Sequence, residues 1–107
     1  MRTIWKFDLS WGEVTRLVVP AHASIVHVDI QHFVPQAWVL LDPDQPERLV
    51  MQVSIMPTGA DIPGHLGEYV KTFFSNQDSL VWHVFALRDR RLTQAPLGVV
   101  EAGDGHR

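Results

Sequence analysis

The sequence predicts an all-β domain, a compact antiparallel sandwich or small barrel of about seven short strands. Apolar and polar residues alternate with a period of two in successive segments, most clearly in Ser24–Gln31. Alternate residues of a strand lie on opposite faces of a sheet, so this period is typical of strands. No segment has the sustained apolar period of 3.6 residues that an amphipathic helix requires. The length of 107 residues is that of one domain.

Two strands are predicted at the amino-terminal end. Within Thr3–Leu9, threonine, tryptophan, phenylalanine and leucine alternate with isoleucine, lysine and aspartate. Ser10–Glu13 contains a glycine and is predicted to be a turn. Val14–Val19 alternates again and ends at Pro20, whose missing N–H group cannot continue a ladder.

A polar-faced hairpin is predicted next. The strand Ser24–Gln31 is connected to the strand Ala37–Leu41 by His32–Pro35, a link short enough for a hairpin. One face of the first strand is predicted to be aliphatic, with Val26, Val28 and Ile30. The other face is predicted to carry Ile25, His27, Asp29 and Gln31.

The remaining strands follow strong turn signals. Asp42–Pro46 combines two prolines with two aspartates, and both residue types favour turns. Leu49–Met56 alternates as the next strand. Pro57–Gly67 is rich in proline and glycine, and is predicted to be irregular with at most one helical turn near Ile62–Leu66. The last two predicted strands, with Ser75–Ser79 as their loop, are Tyr69–Phe74 and Leu80–Leu87.

Two strands, Ala37–Leu41 and Leu80–Leu87, are apolar on both faces. An antiparallel sheet ordinarily leaves one face in water, so this composition predicts burial by a second sheet and by another subunit of a homo-oligomer. Residues 1–87 are predicted to form the β domain. From Arg88 the sequence becomes charged and then rich in proline and glycine. Residues 88–107 are therefore expected to be a mobile tail, or to dock Leu97–Val100 on a neighbouring subunit.

Composition narrows the classes of function. The formal net charge of −3 argues against sequence-independent or sequence-specific DNA binding. The absence of cysteine excludes disulfides and thiolate chemistry and favours the cytoplasm. No apolar run has the length of a signal peptide or a membrane span. The six histidines show no zinc-ligand spacing, so neither a metal nor a cofactor is expected.

Several residues are candidates for ligand binding, each with an ordinary structural alternative. The polar positions of Ser24–Gln31 offer hydrogen bonds to a base or ribose, or they form a solvated sheet face. Indole rings offer stacking platforms or belong to the core, and a lysine offers a cation. The threonine–glycine pair after Pro57 offers a hydroxyl and a backbone N–H group to an anion. The candidates are Trp5, Lys6, His27, Asp29, Gln31, Trp38, Thr58, Gly59 and His83. No catalytic arrangement is predicted.

Three segments together resemble a family of short, mostly uncharacterised bacteriophage and prophage proteins. They are Thr3–Phe7, the stretch from Pro35 through Trp38 to Asp44, and Leu80–Phe85. The hairpin turn differs from the usual pattern of that family, because His32-Phe33 stands where Asn-Gly is common. The tail after Leu87 is also longer than usual.

The resemblance implies a phage protein without an assigned enzymatic activity, acting in the cytoplasm of the host cell. Small phage proteins of this kind often counter host defence. We therefore expect a non-enzymatic binding protein that sequesters a nucleotide-type immune signal, such as a cyclic dinucleotide or an ADP-ribose derivative, in pockets between subunits. A protein–protein interaction module that blocks a host protein or serves in the virion is an alternative. A nucleotide-cleaving enzyme using His27 or His83 is a third.

Overall fold

The computed structural model describes residues 1–11, 14–75 and 80–100, and their strands form two antiparallel sheets packed face to face. The predicted all-β class is confirmed, and the architecture is a sandwich rather than a barrel. A single 3-10 turn, Gly64–Leu66, lies within the region predicted to contain a helical turn. The strands are β1 (Thr3–Asp8), β2 (Val14–Pro20), β3 (Ser24–Gln31), β4 (Val34–Leu41), β5 (Arg48–Pro57), β6 (Glu68–Ser75), β7 (Leu80–Leu92) and β8 (Gly98–Val100).

The two sheets are unequal in width. One contains three strands in the order β1-β4-β3, and the other contains five in the order β6-β7-β5-β2-β8. Consecutive strands β1 and β2 therefore lie in different sheets, because β1 pairs with β4 and β2 pairs with β5. The predicted β3–β4 hairpin is confirmed. The strands β6 and β7 form a second hairpin.

The core lies between the two sheets. Alternation along the strands directs every second side chain of both sheets into this core, and strand β5 is an example. The side chains of Leu49, Met51, Val53 and Ile55 share one face of the strand and are buried against the opposite sheet. Phe7, Ala37 and Val28 form one row across the three-stranded sheet and are also buried.

Strand β3 has the predicted bounds, but its first half departs from simple alternation. The pairing with β4 shifts between Ile25 and His27, which is a β-bulge at Val26. The extra residue turns Ile25 onto the core, whereas Val26 is exposed. The prediction that Ile25 shares the polar face and Val26 the aliphatic face was therefore wrong. After the bulge, His27, Asp29 and Gln31 do share one face.

The β3–β4 connection is shorter than the four residues expected. Only His32 and Phe33 separate the strands, and both have positive φ, 55° and 68°. Two residues with positive φ are the geometry of a type I′ turn, for which Asn-Gly is favoured. The hairpin therefore forms although its two turn residues are not the Asn-Gly pair that this turn favours. Phe33 is 90% exposed at the tip of the hairpin.

The chain beyond Leu87 differs from the predicted tail. Strand β7 continues to Leu92, pairing with β5 up to Leu49. Residues Gly98–Val100 then form β8 on β2 of the same chain, not on another subunit. Arg48 holds the segment that connects β7 to β8, because its guanidinium donates a hydrogen bond to the carbonyl of Ala95. Residues 101–107 lie outside the described residues.

The predicted turn at Asp42–Pro46 is confirmed. The backbone N–H of Gln45 donates to the carbonyl of Asp42 at 3.1 Å, and that of Asp44 to the Asp42 carboxylate at 3.0 Å. The predicted turn residues Gly12 and Glu13, and the loop residues 76–79, lie outside the described residues. No helix within the described ranges is long and apolar enough to cross a membrane.

The residue before β6 must be glycine. Gly67 has φ 91° and ψ −147°, a region that is essentially restricted to glycine. A Cβ atom there would also overlap the backbone carbonyl of Ala86 on β7. This close approach sets the position at which β6 begins to pair with β7.

Replacing Phe33 by glycine is expected to stabilise the fold by about 1 kcal/mol, because a side chain in the left-handed region costs about 1–2 kcal/mol and glycine in the unfolded chain offsets part of this. Urea denaturation measures the change. Phe33→Ala is the control. It removes the exposed ring but keeps the Cβ atom, so its stability should stay close to that of the parent. Equal stabilisation by both variants would mean that the ring, not φ, is responsible.

Replacing Gly67 by alanine is expected to lower the free energy of unfolding by about 2 kcal/mol or more, since the φ/ψ strain and the overlap with Ala86 add. Thermal and urea denaturation measure the loss. Gly64→Ala is the matched control, because Gly64 lacks positive φ and a Cβ atom there meets no atom within 4 Å. Similar losses from both substitutions would contradict the proposed role of Gly67.

Candidate functional site

The residues predicted to bind a ligand, apart from Trp5, fall on two outer faces of the sandwich. The first group lies on the outer face of the three-stranded sheet, where Lys6, Trp38 and His27 form one row across β1, β4 and β3. Asp29 and Gln31 continue this face along β3. We call these five residues the polar face.

Most hydrogen-bonding groups of the polar face are partnered with one another or with nearby residues. The Lys6 ammonium donates to Oε1 of Gln31. Nε2 of His27 lies 3.5 Å from a carboxylate oxygen of Asp29, whose other oxygen accepts the N–H of Ile30. Nδ1 of His27 lies 3.3 Å from the ammonium of Lys71 on β6. The His27 ring packs 5.3 Å from Trp38. The arrangement is that of a solvated, internally bonded sheet face.

One polar atom next to this face has no partner among the described residues. Gln36 pairs with Asp8 and Asp29 in the adjacent row, and its side chain is only 6% exposed. Its Oε1 atom is buried without a hydrogen bond. Trp5, in contrast, lies on the opposite side of β1, with its ring 6.4 Å from that of Phe7. Trp5 is therefore not part of the polar face.

The second group of predicted residues lies on the outer face of the five-stranded sheet. His83 of β7 is held on both sides by hydroxyl groups. Oγ1 of Thr58 lies 2.7 Å from Nε2, and Oγ1 of Thr72 lies 2.9 Å from Nδ1. The Tyr69 hydroxyl extends the chain, 2.7 Å from Thr72. Gly59 follows with φ 92° and open space around its Cα atom.

A cleft that the sequence did not predict opens between the two sheets, at the end where β7 finishes. Its volume is about 870 Å³, within the range of small-molecule sites of about 300–1,000 Å³. The start of β3 covers one side. The start of β5, the start of β6 and the end of β7 form the other side. It is lined by Ala21, His22, Ile25, Leu49, Met51, Gly67, Glu68, Tyr69, Val70, Ala86, Leu87, Arg88 and Arg90.

Alternation along β7 places two arginines at this cleft. Val84 and Ala86 face the core, and the same side of the strand continues to Arg88, which pairs with the buried Met51. The pairing with β5 becomes irregular after Asp89, and Arg90 also lines the cleft. Both arginines are exposed to solvent. The Arg88 guanidinium donates to the carbonyl of Ala23, which ties the end of β7 to the loop before β3. Within the part of the chain that the structure describes, neither arginine has a carboxylate within ion-pair distance. Their charges are therefore available to an anion.

The neighbouring carboxylate of Asp89 does not neutralise Arg88 and Arg90. Asp89 points to the opposite side of β7 and pairs with Arg91, whose Nη2 atom lies 2.7 Å from its carboxylate. The hydrogen bonds from the Arg91 side chain and backbone lower the pKa of Asp89 to about 2. The one acid that lines the cleft is Glu68, at the start of β6. His22, with φ 72°, lies on the rim.

The other end of the sandwich is closed by aromatic rings. Trp11 packs 4.9 Å from Trp82 and 6.1 Å from Phe73. The Trp82 indole N–H donates to the hydroxyl of Ser75 at 2.9 Å. Trp82 and Arg88 are six residues apart on one strand, which corresponds to about 20 Å. The inter-sheet space is therefore open at the arginine end and filled at the tryptophan end.

The sequence contained a signal for the cleft arginines. The alternation in Leu80–Leu87 continues through Arg88 and Arg90, and two cations at the inner positions of a strand indicate an uncovered end. We ended the predicted strand at Leu87 because the charged run resembled a tail. The cleft itself depends on how far β3 reaches over β6 and β7, which no local pattern specifies.

Replacing Arg91 by alanine is expected to raise the pKa of Asp89 from about 2 towards its ordinary value of 3.8. The lowered pKa favours the folded state at neutral pH, and this contribution disappears as the pH falls through about 4 to about 2. The parent should therefore lose its stability advantage over Arg91→Ala across that range. Carbon-detected NMR titration of the Asp89 carboxyl measures the pKa. An unchanged pKa in Arg91→Ala would contradict the pairing.

Comparison with known proteins gives one match. A family model described as Domain of unknown function (DUF7352) matches residues 1–94. No curated protein and no solved structure matches the chain. The matched residues include the strands from β1 to β7, and therefore the polar face, the His83 hydroxyl chain and the cleft arginines. The chain belongs to the DUF7352 family of domains of unknown function.

Proposed function

We propose that this domain is a non-enzymatic binding protein for a small nucleotide-type anion, which it holds in the cleft between its two sheets. The observation that carries the proposal is the pair of exposed arginines, Arg88 and Arg90, that line the open end of a cleft with both apolar and polar walls. A guanidinium binds phosphate through two parallel hydrogen bonds. A site of this chemistry suits a ligand with one anionic end.

The cleft also suits the remainder of a nucleotide. Ile25, Met51 and Val70 supply an apolar floor against which a base can pack. Glu68 supplies a carboxylate, the group that accepts hydrogen bonds from ribose hydroxyls in dinucleotide sites. A volume of about 870 Å³ is sufficient for a dinucleotide-sized ligand.

Sequestration is favoured over catalysis by the positions of the polar groups. His83 and its partners Thr58 and Thr72 lie on the outer face of the five-stranded sheet and do not line the cleft. His27 lies at the edge of the polar face, bonded to Asp29 and Lys71. The cleft contributes cations, one carboxylate and apolar atoms, which suit binding and release of an unchanged ligand.

The resemblance to phage and prophage proteins supports a biological setting for this binding. In that setting the ligand is a nucleotide immune signal, a cyclic dinucleotide or an ADP-ribose derivative, and its removal in the host cytoplasm blunts defence. The cleft belongs to a single chain. The proposal therefore does not require the intersubunit pocket that we expected from the sequence.

The test is to incubate the protein with cyclic dinucleotides and ADP-ribose derivatives, and to identify what heat denaturation releases. An intact ligand recovered only after denaturation supports sequestration, and an altered one would support an enzyme. Calorimetric titration then compares variants. Arg90→Ala is expected to weaken binding about 10- to 100-fold, since a charge-assisted hydrogen bond contributes about 1.5–3 kcal/mol.

Arg91→Ala is the matched control. It removes the same charge from the adjacent residue, but its partner is Asp89 on the other side of β7. It should bind with nearly parental affinity. Asp29→Ala locates the ligand independently. If Asp29→Ala weakens binding and Arg90→Ala does not, the ligand lies on the polar face and the cleft assignment is wrong. If no compound in the panel binds, the proposed function fails.

A further inference from the structure

The outer face of β5, β6 and β7 is apolar and exposed, unlike the polar face on the other side of the sandwich. Tyr69 is 57% and Phe74 is 56% exposed on β6. On the neighbouring strand β7, Phe85 lies opposite Tyr69 and Val81 lies opposite Phe74. Met56 lies on the next strand, β5, and these three residues are half-buried. No outward position between Val81 and Leu87 carries a charge. We call this surface the apolar face.

The hydroxyl and imidazole groups around His83 on the apolar face can be satisfied without water. One assignment of the hydroxyl and imidazole protons gives every donor an acceptor. The Tyr69 hydroxyl donates to Thr72, the Thr72 hydroxyl to Nδ1 of His83, and Nε2–H of His83 to Thr58. The Thr58 hydroxyl completes the series by donating to the carbonyl of Val81 at 3.3 Å. Burying an unsatisfied donor is costly, and this group of four side chains leaves no donor without an acceptor in that arrangement.

We propose that the apolar face binds a second copy of this chain, forming a two-fold symmetric dimer. A two-fold interface brings the same surface of both copies together, so each charge at its centre would face its own symmetry mate. The chain has a net charge of −3, yet the centre of this face is uncharged. Homodimer interfaces are also more apolar than other protein interfaces.

The size of the face is consistent with a dimer of modest affinity. The eight residues of β6 extend over roughly 26 Å, and β6, β7 and β5 together span roughly 14 Å. This is on the order of 400 Å² in flat projection, and side-chain relief enlarges it. Stable interfaces bury about 600–1,000 Å² on each partner. The face lies at the small end of this range, so we expect a weak dimer that forms at high protein concentration.

Light scattering coupled to size-exclusion chromatography tests the dimer on the full chain, loaded at concentrations from about 1 to 200 µM, a range chosen to bracket micromolar affinity. The parent is expected to approach twice its chain mass of 12.2 kDa at the upper end. Phe74→Glu is expected to weaken dimerisation at least 100-fold and remain monomeric throughout. A parent that stays monomeric at 200 µM would overturn the proposal.

Phe33→Glu is the matched control, because it places the same charge at an exposed phenylalanine on the hairpin tip, outside the apolar face. It should dimerise as the parent does. Dissociation by Phe33→Glu but not by Phe74→Glu would assign the interface to the hairpin and refute this one. Circular dichroism checks folding, and Phe74→Ser provides a second, uncharged disruption.

NMR of the His83 ring gives an independent readout. The Nε2–H proton is expected to be visible in the dimer, where the face is dry, and lost through water exchange in Phe74→Glu. An Nε2–H signal equally strong in dilute monomer and dimer would contradict burial of the hydroxyl chain. The dimer is independent of the cleft ligand, so its test stands even if no nucleotide binds.

Discussion

The unequal width of the two sheets is the constraint on which the rest of the structure depends. Five strands present a wider inner face than three strands cover, and Ile25 of β3 is the one residue of the narrower sheet that lines the cleft. Where the cover is complete, the space is filled by aliphatic side chains and sealed by Trp11 against Trp82. Where it is incomplete, the inner row of β7 changes from Val84 and Ala86 to Arg88 and Arg90. The cleft is thus the uncovered end of the same sheet that forms the core.

The same architecture separates three surfaces with different chemistry. The polar face is internally bonded through pairs such as Lys6–Gln31 and His27–Asp29, which leaves it suited to contact with water. On the apolar face, the hydroxyl groups of Thr58 and Thr72 are bonded to the ring of His83, and the aromatic rings around them are exposed. The cleft combines concavity with two cations that lack a carboxylate partner among the described residues. The proposed ligand cleft, the proposed dimer face and the solvated face therefore differ in chemistry, and Tyr69 and Leu87 lie at the border between the first two.

Local patterns predicted the strands well and the site poorly. The bounds of β3 and the two faces of β5 followed from alternation, because burial on one side of a sheet leaves a period of two in the sequence. The bulge at Val26 was missed, since no residue type marks an inserted position. The grouping of His27, Asp29 and Gln31 was correct, but the separation of His83 from them depends on which sheet each strand joins. That is decided by pairing between distant segments, as is the cleft.

The order of strands has a consequence for how the chain folds. Hairpins β3–β4 and β6–β7 join neighbours in sequence, so they can form after closing only short loops. Strand β1 must wait for β4, since Thr3 pairs with Leu41, and β2 must wait for β5. The cost of closing such loops comes before the contacts that compensate for it, and this slows folding. A chain synthesised from its amino terminus therefore carries the apolar strand β2 unpaired until β5 has emerged, and the late pairing of β2, rather than either hairpin, is expected to limit the folding rate.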